Sequence, residues 1–201
     1  MEYIENNYNI DEFHFDITTN GTLLNKERIE FMSKYNIIPL LSIDGNEKTQ
    51  NYNRPCKNCK ESSLDLISKN IPILLEYFPK TMFRSTVYKD SIQNLFEDYL
   101  YAEEMGFKNY TCIPDIRSQN WTEDDLNNYK NELFKIITYI FIHYLHNERP
   151  KTSFSNLEKA FSKIIFNDLN IDRKINTFNV ARCGLGVSGV SINYQGDIFS
   201  C

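Results

Sequence analysis

No stretch of this 201-residue chain is both long and apolar enough to cross a bilayer. The richest candidate, Ile136–Leu145, is too short and too polar for that task, so no membrane partner is expected. Positive charge is not in excess either. The net charge is −5, whereas a nucleic-acid surface needs a clustered basic face, so no nucleic-acid partner is expected. No internal repeat or low-complexity tract stands out. The opening residues, Met1 to Asn9, are acidic and polar and lack the apolar centre of a signal peptide, which makes a cytoplasmic, reducing location the expectation. In that setting the five cysteines do not read as a disulfide framework.

What remains is ordinary for a soluble globular protein: 41% hydrophobic and 24% charged residues, enough for one domain or one and a fraction. The cysteines are better read as metal ligands in part. Cys183 and Cys201 flank a glycine-marked hairpin, Val187–Ser200, in which Gly196 supplies the positive φ of a tight turn. Two such thiolates can point at one soft metal centre, but two sulfurs do not complete a four-coordinate site. Cys56-Lys-Asn-Cys59 has ligand spacing, yet zinc there needs two further ligands. Cys112 lies in a strand-like run and reads as a buried, inert thiol.

Four apolar runs alternate with helical patterns. Phe13–Thr19 leads to a helix ending near Lys34, and Ile37–Ile43 to a helix near Ser62–Tyr77. Thr81–Val87 precedes Ile92–Met105, and Tyr110–Ile113 precedes a long helix from Thr122 to about His146. Thr122 with Asp125 predicts a capping arrangement at that helix's start. A further helix is predicted over Ser155–Asn170. Strand–helix alternation implies an α/β fold with a parallel sheet, either doubly wound or closed into a barrel. The strands lack clean polar alternation, which predicts a sheet covered on both faces.

In such folds the polar residues at the carboxyl ends of strands face the ligand. Those ends supply Thr18, Thr19 and Asn20; Ser42 and Asp44; Arg84, Ser85 and Thr86; and Pro114 with Asp115. Hydroxyls suit sugar oxygens and a guanidinium suits a carboxylate. The competing reading makes Asn20-Gly21 and Asp44-Gly45 plain turns, and Arg84 half of a structural ion pair.

The order of four motifs carries a resemblance. Thr-Thr-Asn-Gly-Thr-Leu-Leu (18–24), Leu-Ser-Ile-Asp-Gly (41–45), Phe-Arg-Ser-Thr-Val (83–87) and Glu-Glu-Met-Gly-Phe-Lys-Asn (103–109) resemble successive marks of a radical S-adenosylmethionine (SAM) enzyme. The spacing from Cys183 through Gly196 to Cys201 is similar to the opening of a SPASM domain, found in anaerobic sulfatase maturases and maturases of ribosomal peptides. The resemblance implies a partial (β/α)6 TIM-like barrel with about four βα units present, over residues 1–150. A helical linker over 151–182 and the start of the auxiliary-cluster domain over 183–201, a C-terminal β-hairpin, would follow. It implies SAM near Ser42 and Arg84, with Asn20, Asp44 and Thr86 lining the same mouth. It also implies Cys183 and Cys201 as ligands of an auxiliary [4Fe–4S] cluster.

The family's Cys-x3-Cys-x2-Cys loop and its Gly-Gly-Glu-type motif are not in this sequence. The resemblance therefore implies a part of a maturase that modifies a precursor peptide or protein through a 5′-deoxyadenosyl radical. That part would be inactive by itself, and either truncated or completed by a separately encoded N-terminal half. The β-strand of Phe13–Thr19 would then lie on an open edge. Two other readings compete: a non-enzymatic peptide- or partner-binding module, and a zinc protein using Cys56, Cys59, Cys183 and Cys201. His143 and His146, three apart on a helix, read as a packed or solvated face, and Trp121 as a packing residue.

Overall fold

The computed structural model describes residues 1–9, 13–56, 61–117, 119–168, 191–193 and 195–199. Met1–Lys159 form one compact unit and Ala160–Cys201 a second. The first begins with a short helix α1 (Glu2–Asn7) and is built on a parallel sheet. Its strands are β1 (Phe15–Thr19), β2 (Ile37–Ser42), β3 (Met82–Val87), β4 (Asn109–Pro114) and β5 (Ser153–Phe154), lying side by side in chain order.

Between strands run α2 (Lys26–Lys34), α3 (Glu47–Asn53), α4 (Ser63–Ser68), α5 (Ile71–Tyr77), a 3-10 helix (Lys89–Asn94), α6 (Leu95–Glu104) and α7 (Glu123–Leu145). The expected helix over 62–77 is two. Ser62 and Asp65 form a reciprocal capping box at the start of α4, and Pro72 opens α5, where the missing N–H costs nothing. Thr122 and Asp125 cap α7 in the same reciprocal way, as their spacing predicts. The hydrogen bonds to Thr122 hold the exposed Asp125 carboxyl below its ordinary range. A fifth strand, β5, was not anticipated from the pattern of four.

One face of the sheet is covered and the other is open, which corrects the expectation of a sheet covered on both. Thr19, Leu41, Phe83, Tyr110 and Phe154 form one register row across all five strands. Leu41, Phe83, Tyr110 and Phe154 of that row lie in the core with Ile29, Ile67, Leu74, Leu95, Tyr99 and Ile136 from the helices. The next row on the opposite face is Ser42 and Arg84, both half-buried, with Thr111, which is buried and donates to Asn156 Oδ1 at 3.0 Å; β3 alternates strictly between half-buried and buried. Full burial of each large core side chain stabilises by about 1.5–3 kcal/mol, so this covered face carries the fold.

Beyond β5 the Asn156 side chain continues the edge of β4. Its Oδ1 accepts the Cys112 N–H at 3.0 Å and its Nδ2 donates to the Cys112 carbonyl at 2.8 Å. The helix α8 (Ser155–Asp168) starts there and runs into the second unit. In that unit β6 (Ser191–Ile192) and β7 (Ile198–Phe199) pair antiparallel, as expected of the hairpin, with Gly196 at φ +91°. Cys183 and Cys201, expected on either side of it, lie outside the described residues.

Candidate functional site

The tip of β2 is tied to its neighbours through Asp44, which is fully buried. Its carboxylate accepts Arg54 Nε at 2.8 Å and Nη2 at 3.0 Å, and the Thr86 N–H at 3.0 Å. Its own N–H donates to Gln50 Oε1 at 2.8 Å, and its carbonyl accepts the Ser85 hydroxyl at 2.6 Å. The Asn46 side chain accepts the Thr49 N–H and so caps α3, the helix that carries Gln50 and leads directly to Arg54. Asp44 is therefore a structural bridge between β2, β3 and α3, its carboxylate accepting three hydrogen bonds. Sequence reasoning named Asp44 but missed Arg54 and Gln50, whose pairing reaches back across a polar helix without apolar periodicity.

Ser42 and Arg84 differ from Asp44. They are register partners on the open face, both half-buried. Thr111 is the matching residue on β4. Among the described residues no carboxylate pairs with the Arg84 guanidinium, so the structural ion pair weighed for it is not formed there. Thr86 lies two residues further along the same face, its N–H held by Asp44. Asn20 uses its side-chain oxygen locally, accepting from the Thr22 N–H at 3.2 Å and the Thr22 hydroxyl at 3.0 Å. Gly21 follows at φ +77°, and a Cβ there would meet Leu41 Cδ1 at 2.6 Å, so this turn requires glycine.

A cavity of about 360 Å³ opens next to this turn, lined by Asn20, Leu23, Gln50, Arg54, Ser63 and Ile67 among others. Its polar groups are engaged with one another: Gln50 Nε2 donates to Ser63 Oγ at 3.2 Å, which donates to the Arg54 carbonyl at 2.9 Å.

Cys112 is a buried free thiol pushed up to about 11 by burial, 3.5 Å from the Tyr129 hydroxyl. Cys56 is disulfide-bonded, while Cys59 lies outside the described residues. His143 packs against Tyr139 with ring centroids 4.5 Å apart, and His146 ends α7. Trp121 donates to the Asp115 carbonyl at 2.9 Å and meets Tyr129 edge-on. Among the described residues no group of three or more His, Cys, Asp or Glu could hold a metal ion, and no helix is long and apolar enough to cross a membrane.

No protein-family model matches the chain. It is 28% identical over 109 residues to the cysteine-type anaerobic sulfatase-maturating enzyme of Clostridium novyi, a match covering 54% of this chain and 29% of that one. It is 23% identical over 188 residues to the radical SAM cyclopropyl synthase TigE of Paramaledivibacter caminithermalis, covering 93% of this chain and 36% of that one. The chain thus spans about a third of the length of these curated relatives. Among solved structures, native anSMEcpe with bound AdoMet superposes on all of this chain and 53% of its own, with a TM-score of 0.67 at 17% identity. Streptococcus suis SuiB superposes on 94% of this chain and 44% of its own, with a TM-score of 0.55 at 19% identity. In sequence and in fold, over part of their length, this chain resembles the radical SAM/SPASM maturases.

Proposed function

We propose that the open face of this sheet is one wall of a SAM cradle in a radical SAM/SPASM maturase acting on a peptide or protein side chain. The observation that carries the reading is the Arg84 guanidinium, half-buried, without a carboxylate partner among the described residues and in register with Ser42. A half-dehydrated guanidinium is well suited to a ligand carboxylate, and a neighbouring hydroxyl to a ribose or amino-acid oxygen. The residues therefore fit SAM: Arg84 would hold its carboxylate, Ser42 would lie near its ribose, and Asn20 and Thr86 would border the mouth. Asp44 serves indirectly, by fixing Thr86 and the β2 tip.

SAM supplies, when reduced by a [4Fe–4S] cluster, the 5′-deoxyadenosyl radical of this class of enzymes. The chain's own residues bind and orient. The five strands would be part of a (β/α)6 barrel. Cys183 and Cys201 would serve as auxiliary-cluster ligands, while the Cys-x3-Cys-x2-Cys loop of this class is not in this sequence. Alone, the chain would be inactive. A precursor peptide is the substrate class this reading favours, because one of the structural neighbours is SuiB bound to its precursor peptide SuiA.

Calorimetric titration of the chain with SAM tests the reading. Saturable binding that weakens at least ~10-fold in Arg84→Ala is expected, since a hydrogen bond to a charged group contributes about 1.5–3 kcal/mol. No binding by the unaltered chain, or equal affinity in the variant, would overturn it.

A further inference from the structure

The turn between β2 and α3 is held from below by a carboxyl that has no place in the ligand-facing row. Asp98 sits on α6, 2% exposed, and its Oδ1 accepts the Asn46 N–H at 2.9 Å. It lies so close beneath Gly45 that a Cβ added there would be 2.1 Å from Asp98 Oδ1 and 2.2 Å from its Cγ. Gly45 is thus a glycine for lack of room, not for its φ. The same turn positions Asp44, and through it Arg54, Thr86 N–H and the cavity beside Asn20.

We infer that Asp98 is the positioning residue of this turn, a buried latch that closes it when protonated and loosens it when ionised. The groups facing Asp98 explain the sign. Asp44 lies above it and Glu97 beside it on α6, both adding negative charge, and Tyr110 of β4 faces it from the core, uncharged. On α3, Lys48 donates to Asn94 Oδ1 at 3.2 Å. Among the described residues no cation pairs with Asp98. Burial, only partly offset by the Asn46 N–H and the Thr49 side chain, pushes its carboxyl up to about 7. A neutral acid still accepts the Asn46 N–H through its carbonyl oxygen, whereas an anion would be a buried charge with no cation paired to it among the described residues. Opening the turn to water relieves that cost.

That the turn borders a SAM cradle rests on the preceding reading, but the latch does not. Its test is amide hydrogen exchange across Asn46–Gln50 in the full chain, corrected for intrinsic rates, from about pH 4.5 to 8.5. Opening should rise towards ~10-fold per pH unit below the carboxyl's midpoint and level off above it, and Asp98→Asn should remove that rise. Equal pH dependence in the two proteins would overturn the latch. A carboxyl NMR titration of the unaltered chain serves even if the variant fails to fold. There, an Asp98 midpoint below 5 would overturn the inference, and one near neutrality with coincident shifts at Asn46 would support it. SAM titration at both pH values is a separate arm. A chain that exchanges as expected yet ignores SAM would refute the cradle and leave the latch standing.

Discussion

Ser42 and Arg84 stand opposite one another in the β2–β3 register, on the face of the sheet that the helices leave open. Two residues 42 positions apart in the chain are thereby held together without a bond of their own, by the strand pairing around them, including Ile43 N–H to the Arg84 carbonyl at 3.2 Å. Arg84→Ala should therefore leave stability within about 0.5 kcal/mol, as at other sites without a structural partner. SAM affinity should fall while the urea midpoint stays. Loss of both would make Arg84 a structural residue.

Arg54 has the opposite profile. Its side chain is 32% exposed, while the carboxylate it neutralises is fully buried. Arg54→Ala leaves Asp44 charged and paired only with a backbone N–H. Breaking a buried pair in this way costs about 3–5 kcal/mol, and the partial exposure of Arg54 places the expectation near the lower end. Asp44→Asn/Arg54→Ala should recover part of the loss in equilibrium urea unfolding.

Asp98 gives a stability prediction with a defined sign. Its folded-state pKa of about 7 stands above the ordinary 3.8, so the folded chain binds more protons than the unfolded one between those values. Stability from this group is full below about pH 4, declines as pH rises through that window, and is lost above 7. The decline amounts to at most about 4 kcal/mol. Asp98→Asn should flatten it, which chemical denaturation between pH 4 and 8 would read directly.

The outer edge of β1 carries the fourth prediction. Ile17 is 42% exposed and lies in an apolar groove with Leu23, Phe31 and Met32, beside a strand edge that pairs with no other strand among the described residues. Such edges recruit other strands. Ile17→Lys should reduce concentration-dependent self-association in sedimentation experiments without shifting the unfolding midpoint. Unchanged association would place the contact elsewhere.

The sheet was legible in the sequence because its strands are apolar runs ended by turn residues, and the register put Ser42 and Arg84 together as the strand-end argument expected. The misses have physical causes. β5 is two residues long, too short to show any period, and α3 is a polar helix held by the Asn46 cap and by Gln50 rather than by an apolar stripe. The alternation along β3 was obscured because its open-face residues include Met82, so hydropathy alone did not mark that face as uncovered. Asp98 carries no signal in the sequence beyond being an acid within a helical pattern. Only the fold brings it under Gly45, and the pair of a glycine and a distant acid leaves no local signal. Asn20 and Asp44, expected from the sequence either as ligand groups at strand ends or as plain turn residues, respectively accept bonds within one turn and brace three elements.

The amide of Asn156 has a consequence for assembly. By taking both main-chain groups of Cys112, it leaves the sheet with two unequal margins: five residues of β1 on one side and only two of β5 on the other. Head-to-tail stacking of copies would have to join the long margin to the short one and would gain few bonds per contact. Growth into a filament is therefore disfavoured, and two copies meeting through their long margins would end in a closed pair.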